Sequence, residues 1–288
     1  MTALVGLVGL GNMGRPMTRN LARAGFELVV HDADAERLAL VADEVGARGA
    51  AGPDDFAGCG VVVTMLPDDS VVRRVTLEWG LARALPRGSV LLDMSSSNPI
   101  ATRRLAGELA ELGLAVVDAP VSGGVPRAEN ATLAIMAGGD PADVDLVEPV
   151  LRALGDRIFR TGAVGSGHAM KALNNLCAAA AYAAAAEALA IGARFDLAPE
   201  TMVEVLNAST GRSFVSELVL KEHVLTGAYA TGFTVGLLAK DVAIAADLAE
   251  QTGVDAPATS LVARRWADAL AVLGPAADHS EAHRAWPA

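Results

Sequence analysis

Lys171 sits where a proton carrier would be useful. In GSGHAMKALNN, residues 165–175, it follows a glycine-rich turn and leads into a run of small apolar residues. Asn175 is four positions on, hence on the same helix face, and its amide could orient both an ammonium and a substrate oxygen. A lysine exchanges protons near neutral pH only if desolvation or a neighbouring positive charge disfavours its ammonium form. The following alanines suggest that Lys171 is half buried at a junction of two domains. The alternative is a helix lysine that lays its stem on apolar surface and keeps its head in water. Asn174 points elsewhere and suits a structural role. The five histidines are scattered outside any metal-ligand spacing, no Ser-His-Asp arrangement competes, and no metal is expected.

A second constellation lies near the start. Gly9, Gly11 and Gly14 form G-x-G-x-x-G in GLGNMG, with Asn12 and Met13 between the last two. The triplet alone says little. Here it directly follows an apolar run and opens an amphipathic helical pattern, the context of a dinucleotide-binding turn. Free N–H groups and the helix dipole would then face a pyrophosphate. Asp32, about twenty residues on, ends the next apolar run; a carboxylate there accepts from ribose hydroxyls and repels a 2′-phosphate. Ala33 and Asp34 follow, so no arginine comes next to clamp such a phosphate. The expected cofactor is NAD rather than NADP. Asp32 or Asp34 could also cap the next helix.

These groups need a scaffold. LVGLVG, ELVVHD, VVVTML, SVLLDM and LAVVDAP are short, β-branched-rich runs, as strands covered on both faces are. Helical patterns such as PMTRNLARAG and DAERLALVADEVG alternate with them, implying right-handed βαβ units. TLAIMAGG and DRIFRTG add two more strands around PADVDLVEPVLRAL. From about Gly162 the pattern is helical throughout, with Asp196 to Pro199 as a break and a proline start. The expected fold is α/β: a Rossmann-type, doubly wound parallel sheet domain over residues 1–163. An all-α domain over residues 164–288 follows, joined through a long Ala-rich helix.

On this scaffold Met65, Leu66 and Pro67 end the third run, at the sheet edge where ligands bind in such folds. DMSSSNP ends the fourth. Ser95 and Ser97 are expected to cap the helix near Pro99, and Ser96 either to cap it or to contact a nicotinamide ribose. Consecutive glycines at Ser122-Gly123-Gly124 would let backbone N–H groups converge on a carboxylate, or form a flexible turn.

Composition narrows the classes. Charged residues at 20% and apolar residues at 52% describe a globular chain. A net charge of −11 argues against a nucleic-acid partner. Cys59 and Cys177 form no paired motif, which fits a reducing compartment. The N-terminus lacks the marks of a signal peptide. The apolar LCAAAAYAAAAEALAIGARF is broken by Glu187 and Arg194, and is expected to pack inside protein rather than in a membrane. A cytoplasmic protein follows, and the small-residue surface of the Ala-rich helix suggests a homodimer or homotetramer.

Three further motifs line up with the glycine turn: DAPVSGG at 118–124, G-x-x-G-x-G-x-x-x-K-x-x-N-N at 162–175, and F-x-x-x-L-x-x-K-D at 233–241. Their order and spacing resemble the β-hydroxyacid dehydrogenase family over nearly the whole chain, most like its 3-hydroxyisobutyrate dehydrogenases, a likeness that GRSF at 211–214 supports. The resemblance implies reversible oxidation of a small 3-hydroxy acid with a nicotinamide cofactor. It makes Lys171 the general acid/base and Asn175 its substrate-orienting partner. Ser122, Gly123 and Gly124 would bind the substrate carboxylate, and Phe233 and Lys240 would lie near the cofactor. From the residues alone, Lys240 and Asp241 read equally as a surface pair. The sequence departs from the family at Ser96, where threonine is usual, and at Ala131, where glycine is usual. A semialdehyde or imine reductase is the competing activity; imine-reducing relatives typically lack a lysine at position 171.

Overall fold

A computed structural model describes residues 4–286 of the chain. Two compact units divide it, Met1–Lys171 and Ala172–Ala288. The change of unit lies inside the long helix. The reason is local: Gly165 and His168 each donate a backbone N–H to Asp118, tying the first turns of the long helix to the sheet.

The first unit runs β1 (Leu4–Val8), α1 (Gly14–Arg23), β2 (Glu27–His31), α2 (Ala35–Val45), β3 (Arg48–Gly49), β4 (Val61–Thr64), α3 (Asp69–Arg73), α4 (Leu81–Ala84) and β5 (Val90–Asp93). It continues with α5 (Pro99–Glu111), β6 (Ala115–Asp118), β7 (Val121–Ser122), α6 (Gly124–Glu129), β8 (Ala134–Gly138), α7 (Pro141–Leu154) and β9 (Arg157–Gly162). The sheet order is β3-β2-β1-β4-β5-β6-β8-β7, with β9 on β8. Each apolar run of the sequence is a strand. β4 and β5 are buried along their whole lengths, which is why those runs read as continuous rather than alternating. β3 and β7 were not anticipated, because two residues carry no periodicity.

Strands β1 to β6, apart from their links to the edge, pair in parallel. The expected all-parallel sheet breaks at β8, which runs antiparallel to β6 and to β7. β7 and the six-residue α6 lie between β6 and β8, and β7 closes on β8 as its antiparallel neighbour. α7 supplies a crossover between β8 and β9, and that pair is parallel. Ala131 adopts φ +55° in the turn before β8, keeping the left-handed conformation that glycine takes more readily.

α8 (Ser166–Ala193) carries the change of unit within it, and α9 (Pro199–Ala208), a π-helical stretch over Val215–Val224, α10 (Val235–Thr252) and α11 (Pro257–Leu273) follow. As the sequence suggested, Asp196 turns with φ +59° and Pro199 opens α9. The helical unit packs around Tyr182 and Trp266, both essentially inaccessible. The Tyr182 hydroxyl donates to the Ser280 carbonyl at 2.5 Å, and the Trp266 indole to that of Ala179. The Ala-rich helix is less covered than expected. α8 is long and apolar enough by length and composition to cross a membrane, yet only 28% of its apolar window is buried within the chain. One face meets the helical core through Ala179, Tyr182 and Ala183; Met170, Leu173 and Ile191 on the same helix are exposed.

Candidate active site

β1 has β2 on one side and β4 on the other, so the strand order reverses there and a crevice opens at the carboxyl ends. The glycine turn occupies this point. Gly9 adopts φ +99° and donates its N–H to the His31 carbonyl. A methyl group on Gly14 would overlap the Gly9 carbonyl, whereas one on Gly11 would meet no atom within 4 Å. The turn is therefore tight on its protein side and open on the other. At the head of α1 the Arg15 N–H donates to the Gly11 carbonyl, the Met17 N–H donates to that of Met13, and Pro16 has none; the open face of Gly11 is what suits the approach of a dinucleotide phosphate. Asn12 is exposed and Met13 half buried on the same turn.

Asp32 and Asp34 divide the two roles the sequence left open. Asp34 caps α2, accepting from the N–H groups of Glu36 and Arg37. Asp32 instead accepts from Leu10 N–H at 2.7 Å and Asp34 N–H at 2.9 Å, bracing the glycine turn. The Arg37 guanidinium reaches back to Asp32 at 3.2 Å and Asp34 at 3.1 Å. Arg37 lies beyond the two positions that follow Asp32, and Asp34 as the cap of α2 puts it in the first turn of that helix, facing back.

At the ends of β4 and β5 the serines do not cap. Asn98 is the cap of α5, with Pro99 in its first turn; asparagine just before proline is the better cap. Ser95 Oγ instead accepts from Leu66 N–H at 2.9 Å, and Ser97 Oγ donates to Asp93 at 3.0 Å. These bonds hold Met65 and Leu66 beside the strand end. Pro67 is exposed and Ser96 half buried.

The start of α8 is built onto the end of β6. Asp118 accepts from Gly165 N–H at 2.6 Å and His168 N–H at 2.8 Å. A side chain on Gly167 would overlap the carbonyls of Met136 and Asp118, so the second glycine of the motif lets the helix approach the sheet. Burial pushes the Asp118 carboxyl above the usual carboxylate range, and nearby His168 with the two N–H donors opposes that shift. Lys171 follows on the same helix, half buried. Ser122 ends β7 opposite Ala134, and Gly123 and Gly124, both exposed with positive φ, turn into α6.

In the helical unit, Asn175 is buried, one turn after Lys171 on α8. Its Nδ2 donates to Asp241 Oδ2 at 2.6 Å, and its Oδ1 accepts from the exposed Asn174 at 3.1 Å. Asp241 is 2% exposed, which overturns the surface-pair reading. Its Oδ1 is buried without a hydrogen bond and lies 3.7 Å from the half-buried Lys240 ammonium. The sequence did hold a signal: Leu238, Asp241, Val242 and Ala245 recur at helical spacing on one buried face of α10. Phe233 stands just before α10, packed against the helical core.

Residues 4–162 match the family described as the NAD binding domain of 6-phosphogluconate dehydrogenase, and residues 165–286 that described as NAD-binding of NADP-dependent 3-hydroxyisobutyrate dehydrogenase. The 2-(hydroxymethyl)glutarate dehydrogenase of Eubacterium barkeri is 36% identical over 89% of this chain and 86% of its own. The chain belongs to the β-hydroxyacid dehydrogenase family. Human mitochondrial 3-hydroxyisobutyrate dehydrogenase is 33% identical, covering 86% of this chain and 76% of its own. The solved structure of the Mycobacterium tuberculosis 3-hydroxyisobutyrate dehydrogenase with L-serine superposes with a TM-score of 0.93, at 30% identity and full coverage of both chains. As a member of the β-hydroxyacid dehydrogenases, the protein is an NAD-dependent oxidoreductase of hydroxy acids.

Proposed function

We propose that this β-hydroxyacid dehydrogenase oxidises 3-hydroxyisobutyrate or a close 3-hydroxy acid, with Lys171 as general acid/base. The observation that carries the reading is the pinned start of α8. Glycines without room for a side chain and two N–H bonds to Asp118 fix that helix at the carboxyl edge, where the glycine turn also lies.

NAD, when bound, would supply the hydride acceptor for substrate C3. The glycine turn from Gly9 to Gly14 would hold its phosphates, with Met65, Leu66, Pro67 and Ser96 along the same edge; Phe233 and Lys240 are assigned to the cofactor on the family resemblance. Backbone N–H groups of Ser122, Gly123 and Gly124 bind the substrate carboxylate. As hydride leaves, the hydroxyl must shed its proton, and the neutral Lys171 amine takes it. In the reverse direction the ammonium returns that proton to the carbonyl oxygen. Asn175 spends one amide hydrogen on Asp241 and keeps a second donor, which orients the substrate oxygen.

A panel of 3-hydroxyisobutyrate, D-glycerate, L-serine and L-threonate with NAD and NADP tests the substrate. The highest kcat/KM is expected for 3-hydroxyisobutyrate with NAD, and turnover of none of the four would end the reading. For the cofactor, Asp32→Ser removes a ribose acceptor and frees the Arg37 guanidinium to meet a 2′-phosphate. The NADP-to-NAD ratio of kcat/KM should rise about 10- to 100-fold, the scale of a charge-assisted hydrogen bond gained or lost. An unchanged ratio would take Asp32 out of cofactor choice.

The proposed assembly is a homodimer or homotetramer in the cytoplasm. Ile191 at 71%, Phe195 at 80% and Phe214 at 66% exposed are large apolar side chains that a second copy of the chain would cover. Cys59 and Cys177 are free thiols, which suits a reducing compartment. Light scattering after size exclusion should return a mass of two or four chains; a monomer at micromolar concentration would contradict this.

A further inference from the structure

We propose that His168 is a positioning residue for Lys171. Its imidazole is the bolt that sets the first turns of α8 against the ends of β5 and β6. The proposal rests on the reading of Lys171 as the acid/base.

His168 is 1% exposed, in a chain whose substrate chemistry gives it no part. Its Nε2 lies 3.1 Å from the Ser95 carbonyl and its Nδ1 2.9 Å from Thr102 Oγ1. A carbonyl only accepts, so Nε2 carries a hydrogen. Two carboxylates flank the ring, Asp93 Oδ2 at 3.7 Å from Nε2 and Asp118 Oδ2 at 3.8 Å from Nδ1. Its backbone N–H donates to Asp118 as well. One residue of α8 is thus tied to β5 and the segment after it, to β6 and to α5.

The same cluster braces the cofactor edge. Ser95, whose carbonyl receives the His168 hydrogen, holds Leu66 N–H through its hydroxyl. Asp93 accepts from Thr64 at 2.9 Å, Ser95 N–H at 3.1 Å and Ser97 at 3.0 Å. Lys171 is three residues beyond His168, hence its neighbour along the helix surface. Rotation or slippage of the first turn of α8 would carry the lysine with it. A misplacement of about 1 Å can cost roughly 100-fold in rate, so a bolt this close to the acid/base has kinetic consequences that general packing lacks.

The test is a double-mutant cycle between His168→Ala and Lys171→Ala, read in kcat and in NAD dissociation constant, with melting temperature as the fold control. His168→Ala should lower kcat by about 10- to 100-fold and weaken NAD by a smaller factor, because the Ser95 hydroxyl that holds Leu66 N–H is retained. His168→Gln, which restores a donor to the Ser95 carbonyl, should recover most of the loss. In the Lys171→Ala background, His168→Ala should add little. Losses that multiply in the double variant, or a kcat unmoved by His168→Ala, would overturn the proposal. Wild-type kcat in Lys171→Ala alone would instead overturn the acid/base reading, so the two failures are distinguishable. If His168→Ala melts out, His168→Gln and the Lys171→Ala/His168→Gln double variant decide by the same arithmetic.

Discussion

Lys171→Ala is expected to lower kcat for hydroxy acid oxidation by about 100- to 10,000-fold, the usual range for loss of a positioned acid/base. NAD affinity should stay close to wild type, because the glycine turn and Asp32 are untouched. Lys171→Arg sharpens the test. It keeps the charge and much of the length, yet a guanidinium does not release its proton in a protein. If Lys171 only anchored a substrate carboxylate, arginine would restore activity. If it carries the proton, arginine should be nearly as inactive as alanine. Steady-state rates with matched melting temperatures separate the two, and a fully active arginine variant would assign Lys171 to binding rather than chemistry.

Gly14→Ala and Gly11→Ala should fail in different ways, and the contrast tests the cofactor turn. A methyl on Gly14 would overlap the carbonyl of Gly9, backbone against backbone with nothing flexible to yield. Overpacking of this kind costs about 1–3 kcal/mol or more, so the apo protein should melt several degrees lower and lose NAD binding as the turn opens. A methyl on Gly11 meets no protein atom. Gly11→Ala should therefore melt as wild type does, while NAD binds more weakly because the methyl stands where a phosphate must approach. Calorimetry on the apo proteins, followed by titration with NAD, reads both. Equal melting losses would mean that Gly11 serves the fold rather than the ligand.

Much of the frame was legible because it depends on local pattern. Runs such as VVVTML and SVLLDM are apolar at every position since both faces of β4 and β5 are covered. The helical second half and the proline start at Pro199 are equally local. Short edge strands were not legible, and neither was the reversal at β8, because strand direction there depends on partners distant in sequence.

The candidate site divides along the same line. The motifs named Lys171, Asn175 and the glycine turn, since those residue types at those spacings serve few other ends. They misjudged side chains whose hydrogen-bond partners the spacing does not reveal. Ser95 and Ser97 looked like caps, but Asn98 caps better, which releases them to hold Leu66 and Asp93. Asp241 looked like half of a surface pair, yet it is buried against Asn175, sixty-six positions earlier. Arg37 and His168 had no motif to announce them.

Sequence alone determined the alternation of the longer strands and helices, the glycine turn and the family chemistry, because backbone geometry and proton transfer each restrict which residues can stand at a given spacing. Tertiary structure alone decided which carboxylates are buried, which hydroxyls cap and which side chain bolts α8 to the sheet. Those outcomes turn on hydrogen-bond partners and desolvation that folding brings together, across fifty positions between His168 and Asp118 and twenty-nine between Ser95 and Leu66, and no local pattern records them.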